Sequence, residues 1–160
     1  MIRGIHHVAV STSKFDLLVT FYREAFGFTP ASDEVRWEQG STTIDQAIGV
    51  SDSAARSVML RAGNCHLEIF EYFAPAGRND PPLAPQDRGY THFCVDSTDI
   101  AADYKRLAAL GMTFAHPEPL NFGDIKAVYG KDPEGRIIEI QQCAPDFAFA
   151  IEQLGTVKFR

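Results

Sequence analysis

Two histidines and two glutamates recur at matching points of the chain. His7 opens the run HVAV and His92 opens HFCV, while Glu68 sits in LEIF and Glu139 in IEIQ. These runs read as strands, in which successive side chains point to opposite faces. In His7-Val8-Ala9-Val10 the imidazole shares one face with Ala9, and both valines share the other. Glu68 lies opposite in facing to Leu67 and Ile69, as Glu139 does to Ile138 and Ile140. Each half of the chain therefore aims one imidazole and one carboxylate away from its helix-packed core. If two such curved sheets face one another, the four groups form an N2O2 set suited to one divalent ion, with Ni, Co, Mn, Zn and Fe all compatible. Octahedral coordination leaves two positions for water or for two adjacent substrate oxygens, the arrangement needed for Lewis-acid stabilisation of an enediolate.

Any one of these residues alone is more often a surface or hydrogen-bonded group than a ligand. Repetition is what favours ligation. His6 competes with His7, because a one-residue register shift swaps which of them faces the site. Glu71 falls on the opposite face from Glu68, and His66 shares Glu68's face two residues away.

For the four to meet, the chain must supply two copies of one unit. Residues 5–10 read as a strand and 15–28 as a helix, with Leu17, Leu18, Phe21, Tyr22, Ala25 and Phe26 on its apolar stripe and Gly27 as its stop. Strands follow over 35–39, 57–61 and 65–72. A second strand–helix pair covers 90–96 and IAADYKRLAALGM, and further strands are predicted over 112–115, 124–130 and 136–142. The fold class is thus α+β: two tandem βαβββ modules, related by internal duplication, forming curved mixed sheets around a metal-site cleft. Their bounds are 1–72 and 90–143, joined by a Pro-rich linker at 73–89 and followed by a C-terminal helix and tail at 144–160. HVAV and HFCV lie 85 residues apart but LEIF and IEIQ only 71, so the first half carries 14 extra residues. Their expected place is WEQGSTTIDQAIGVSDSAARS, where a short helix around 44–48 and a pocket-lining role both fit.

Composition excludes several classes. The net charge is −6, and the 15 lysines and arginines are scattered, which argues against a nucleic-acid partner. No apolar run reaches the roughly 20 residues of a membrane span, and the N-terminus lacks the layout of a signal peptide, so a cytoplasmic location is the expectation. Cys65, Cys94 and Cys143 are too few and too far apart for a disulfide framework or a thiolate zinc site.

The paired units, HLEIFEY at 66–72 and above all KDPEGRIIEI at 131–140 resemble the vicinal-oxygen-chelate superfamily over about residues 4–143, the group that includes glyoxalases, bleomycin-resistance proteins and extradiol dioxygenases. In KDPEGRIIEI a tight turn feeds a strand that delivers the last metal carboxylate. The resemblance implies His7, Glu68, His92 and Glu139 as ligands of one divalent metal ion, a small-molecule substrate and a homodimer. It also implies proton transfer next to a carbonyl, of lyase or isomerase type, with Glu139 as the acting base and Glu68 as its partner. The acting glutamate must loosen from the ion when substrate binds. An Fe(II) extradiol-type dioxygenase using His7, His92 and Glu139 is an alternative, and a non-catalytic small-molecule binding protein is another. Trp37, Phe70, Cys94 and Phe122 are candidate pocket walls, because substrate sites are apolar with few polar anchors.

Overall fold

The computed structural model describes residues 4–148 and 150–154. These fall into two compact units, one spanning Gly4–Asp80 and the other beginning at Pro81.

The first unit runs β1 (His7–Ser11), α1 (Phe15–Phe26), β2 (Thr29–Pro30), β3 (Val35–Trp37), α2 (Thr42–Ile48), β4 (Ala54–Arg61) and β5 (His66–Ala74). The second runs β6 (His92–Asp96), α3 (Ile100–Ala109), β7 (Thr113–Phe114), β8 (Leu120–Asn121), β9 (Ile125–Lys131) and β10 (Ile137–Cys143), with a 3-10 turn at Ile151–Gln153. Each unit builds one mixed five-stranded sheet. The orders are β1-β5-β4-β2 and β6-β10-β9-β7, with β3 pairing β4 and β8 pairing β9. The duplicated α+β reading stands.

One face of each sheet is sealed by its helix. Leu18, Tyr22 and Ala25 of α1 are fully buried on the side of Leu67 and Ile69, and Ile100 and Leu107 of α3 serve Ile138 and Ile140 in the same way. Burial of each such aliphatic contributes about 1.5–3 kcal/mol. Leu17, expected on the apolar stripe, is instead exposed, because the buried set Phe15, Leu18, Tyr22 and Ala25 follows three- and four-residue steps that skip it. The helix stops where Gly27 adopts a left-handed φ of 68°, its amide reaching the Tyr22 carbonyl. At the start of α3 the Asp99 side chain accepts the Ala102 amide at 3.1 Å.

Two strands lie beyond what periodicity shows. Thr29–Pro30 and Leu120–Asn121 are two-residue edge pairings held by their neighbours' ladders, too short to carry an alternating pattern. The extra length of the first half falls between β3 and β4, where residues 38–53 stand against the short turn 122–124 of the second. The helix expected after 143 is realised among the described residues as the single turn Ile151–Gln153; Phe149 and the tail from 155 onward lie outside them.

Gly130, on β9, faces a tight spot. A Cβ there would run into the Met112 methyl and lie 2.9 Å from the Phe114 ring. Gly130→Ala is expected to lower stability by roughly 1–3 kcal/mol through overpacking, read as a lower denaturant midpoint with unchanged slope.

Candidate metal centre

The site residues are positioned by one parallel strand junction in each unit. His7 on β1 lies opposite His66 on β5, and Glu68 lies opposite Ala9. His92 on β6 lies opposite Ile137 on β10, and Glu139 opposite Cys94. In both units the glutamate thus follows the histidine's cross-strand partner by two residues, on the same face. The consequence is two equivalent pairs: His7 Nε2 to Glu68 Oε2 at 3.5 Å, and His92 Nε2 to Glu139 Oε2 at 3.3 Å. Both glutamates are largely covered while the imidazoles are more open.

The β10 register is fixed by the turn that precedes it. Buried Asp132 accepts the amides of Glu134 and Arg136, each at 2.9 Å, and its own amide reaches the Arg136 carbonyl. The Arg136 guanidinium bonds Glu134 at 2.7 Å, and Gly135 takes a φ of 86° that favours glycine. KDPEGRIIEI is therefore a locked hairpin whose outgoing strand presents Glu139.

The imidazoles are held at their other nitrogens too. His7 Nδ1 lies 3.0 Å from His6 Nδ1, and His92 Nδ1 lies 3.0 Å from Thr91 Oγ1. His6 stacks on His66, with ring centroids 4.9 Å apart. Glu71 bonds Arg56 at 2.7 Å. The rivals of His7 and Glu68 thus have other employment.

Tyr129 is legible in the sequence as a candidate pocket wall beside Trp37, Phe70, Phe73 and Phe122, with no sign there of its neighbours. It stands on β9 directly across from Glu139, and its hydroxyl lies 3.3 Å from His92 Nε2. Burial, then the Glu139 charge, raises its pKa, so the hydroxyl keeps its proton. Met59 holds the matching place across from Glu68, which makes the two halves chemically unequal.

A divalent ion with bonds of about 2.0–2.2 Å accepts neighbouring donors about 3 to 3.5 Å apart, so each pair fits two positions of such a sphere. Imidazole nitrogen with carboxylate oxygen is also the donor chemistry of divalent first-row metals. Within either unit, among the described residues, no group of three or more His, Cys, Asp or Glu side chains gathers in metal-binding geometry. Each unit supplies a pair.

The expected pocket residues are spread differently. Trp37 is buried edge-on against Phe70 and Tyr72, with centroids 6.3 and 6.2 Å away, and Phe70 stacks on Tyr72. Phe70 and Tyr72 continue the Glu68 face of β5. Cys94 lies across from Glu139; the residue is exposed at the surface, while desolvation of the thiol, then that carboxylate, pushes its pKa up to about 12. Phe122 is 67% exposed at the β8–β9 turn.

Residues 4–140 match the glyoxalase/bleomycin resistance protein/dioxygenase superfamily. The chain belongs to this superfamily. Among curated proteins it is 31% identical over 143 residues to a 2-epi-5-epi-valiolone epimerase from Actinomyces sp, covering 86% of this chain and 78% of that protein. Among solved structures, a glyoxalase family protein from Bacillus cereus superposes with a TM-score of 0.78 at 18% identity, covering 89% and 95% of the two chains. A lactoylglutathione lyase from Agrobacterium tumefaciens does so with a TM-score of 0.54 at 21% identity, covering 87% and 92%. Among the described residues no helix is long and apolar enough to cross a membrane.

The insertion is tied to the aromatic group through one aspartate. Trp37 Nε1 donates to Ser53 Oγ at 2.9 Å, and the Ser53 hydroxyl and amide and the Asp52 amide all donate to Asp45. Those bonds, led by the Ser53 hydroxyl, hold the Asp45 carboxyl below its ordinary 3.8. Its contribution is therefore complete above the ordinary carboxylate range and lost as pH falls through the lowered folded value. Trp37 is the sole tryptophan. Its emission is expected to hold steady from about pH 7 to about pH 4 and to shift red only below. In Asp45→Ala the red shift should already be present at neutral pH; unchanged emission there would contradict the tie.

Proposed function

We propose that the chain is a divalent-metal-dependent epimerase of the glyoxalase type, which moves a proton on the carbon next to a ketone carbonyl. The observation that carries this reading is the matched pair of His–Glu contacts, each with Nε2 turned to a carboxylate oxygen at 3.3–3.5 Å. In this reading His7, Glu68, His92 and Glu139 share one ion. The similarity to a 2-epi-5-epi-valiolone epimerase supports a ketone of that kind as substrate, with epimerisation as the reaction. A homodimer accords with the superfamily membership.

A bound ion lends Lewis acidity to the carbonyl oxygen and its neighbour. Glu139, loosened from the ion, would take the proton from the adjoining carbon. Glu68, likewise loosened and protonated from solvent, would deliver one to the opposite face, both glutamates then exchanging protons with solvent to restore the starting state. With His92 Nε2 holding an ion, the Tyr129 hydroxyl, 3.3 Å from that nitrogen, would be free to donate to a substrate oxygen. Phe70 and Tyr72, backed by Trp37, give the Glu68 side an apolar wall that excludes water and orients the ring.

The test follows deuterium from solvent into the carbon next to the carbonyl of 2-epi-5-epi-valiolone, by NMR. Glu139→Gln is expected to slow incorporation by about 10²-fold or more. Incorporation at the native rate in that variant would remove Glu139 from the reaction. Oxygen uptake matching substrate loss would assign dioxygenase chemistry instead.

A further inference from the structure

The nitrogens that face away from the carboxylates are held alike in the two halves. His6 and Thr91 each immediately precede a candidate ligand, and they sit at equivalent points of the duplication. Each places a side-chain atom 3.0 Å from the Nδ1 that follows it. We propose that His6 and Thr91 are positioning residues that hold the rings of His7 and His92 through Nδ1 and so govern metal affinity. This rests on the metal reading above.

The argument turns on what kind of partner Nδ1 has. Where Nε2 carries the proton, as it can without an ion, Nδ1 has a lone pair and must accept. With an ion, Nε2 gives its lone pair to the metal, and in the neutral ring the proton must sit on Nδ1, which must donate. One proton leaves Nε2 and one reaches Nδ1 through solvent, so the ring stays neutral. A carbonyl or carboxylate could serve only the second state. A threonine hydroxyl donates in the first state and accepts in the second by rotating its hydrogen. The imidazole of His6 does the same by exchanging its own tautomer. Both residues therefore hold the ring at the same angle whether the ion is present or absent.

His6 is itself fixed for this task. Its ring stacks on His66 with an interplanar angle of 24°, and its carbonyl accepts the His66 amide at 3.1 Å with His66 Nδ1 at 3.2 Å. The presence of three imidazoles at the start of β1 and β5 thus has an account that does not require three ligands.

The experiment titrates Co(II) into the metal-free full chain by calorimetry, alongside the visible spectrum of the bound ion. Thr91→Val removes the hydroxyl at constant shape, Thr91→Ser restores it, and His6→Phe keeps the stacking ring without its nitrogens. Thr91→Val and His6→Phe are each expected to weaken Co(II) binding by about 10- to 100-fold with an altered spectrum, and Thr91→Ser to bind within about threefold of the parent. Parent-like binding in both Thr91→Val and His6→Phe would overturn the proposal while leaving the metal reading intact. So would a loss in Thr91→Val that serine does not recover. Should Thr91→Val not fold, His6→Phe decides alone. A parent chain that takes up no Co(II) would defeat the metal reading, and this proposal with it.

Discussion

The chemistry of this chain depends on the register of one parallel strand pair, made twice. Because side chains alternate across a strand, a slip of one residue between β1 and β5, or between β6 and β10, would turn an imidazole or a carboxylate into the opposite face. The buried aliphatics prevent the slip. Leu67 and Ile69 under α1, and Ile138 and Ile140 under α3, can satisfy the core in only one register, and that register sets Glu68 and Glu139 beside His7 and His92. The hydrophobic effect, which has no direction of its own, thereby fixes polar atoms to within a few tenths of an ångström of the same separation in both halves.

Duplication gives two similar His–Glu pairs, and the surroundings of the two differ. Across from Glu68 stands Met59, with Phe70, Tyr72 and Trp37 continuing an apolar surface. Across from Glu139 stands Tyr129, and the same face continues through Gln141 and Cys143. The insertion between β3 and β4 adds to the contrast, since the Asp45–Ser53–Trp37 chain of bonds stiffens only the aromatic half.

Much of this was legible in the sequence because it is periodic. Alternation revealed the long strands, three- and four-residue spacing revealed α1 and α3, and the repeat offset revealed both the duplication and the place of the extra residues. The positions of His7, Glu68, His92 and Glu139 on their strands follow from the same alternation. What periodicity cannot carry was missed. The two-residue strands β2 and β8 exist through pairing alone, and Leu17 looks apolar on a helix whose buried arc is narrower than its hydrophobic one. Tyr129 acquires its role only from the antiparallel register of β9 with β10, a relation between distant residues. His6 looked like a rival of His7, yet its ring turns out to be that histidine's neighbour at Nδ1.

Metal content tests the central claim most directly. Protein purified without chelator, analysed for Ni, Co, Mn, Zn and Fe by mass spectrometry, should carry about one divalent ion per chain. Replacement of His7, Glu68, His92 or Glu139 by alanine should each strip that ion, while replacement of the exposed Glu38 should leave it. Metal content that stays near zero, or that survives all four substitutions, would contradict the account.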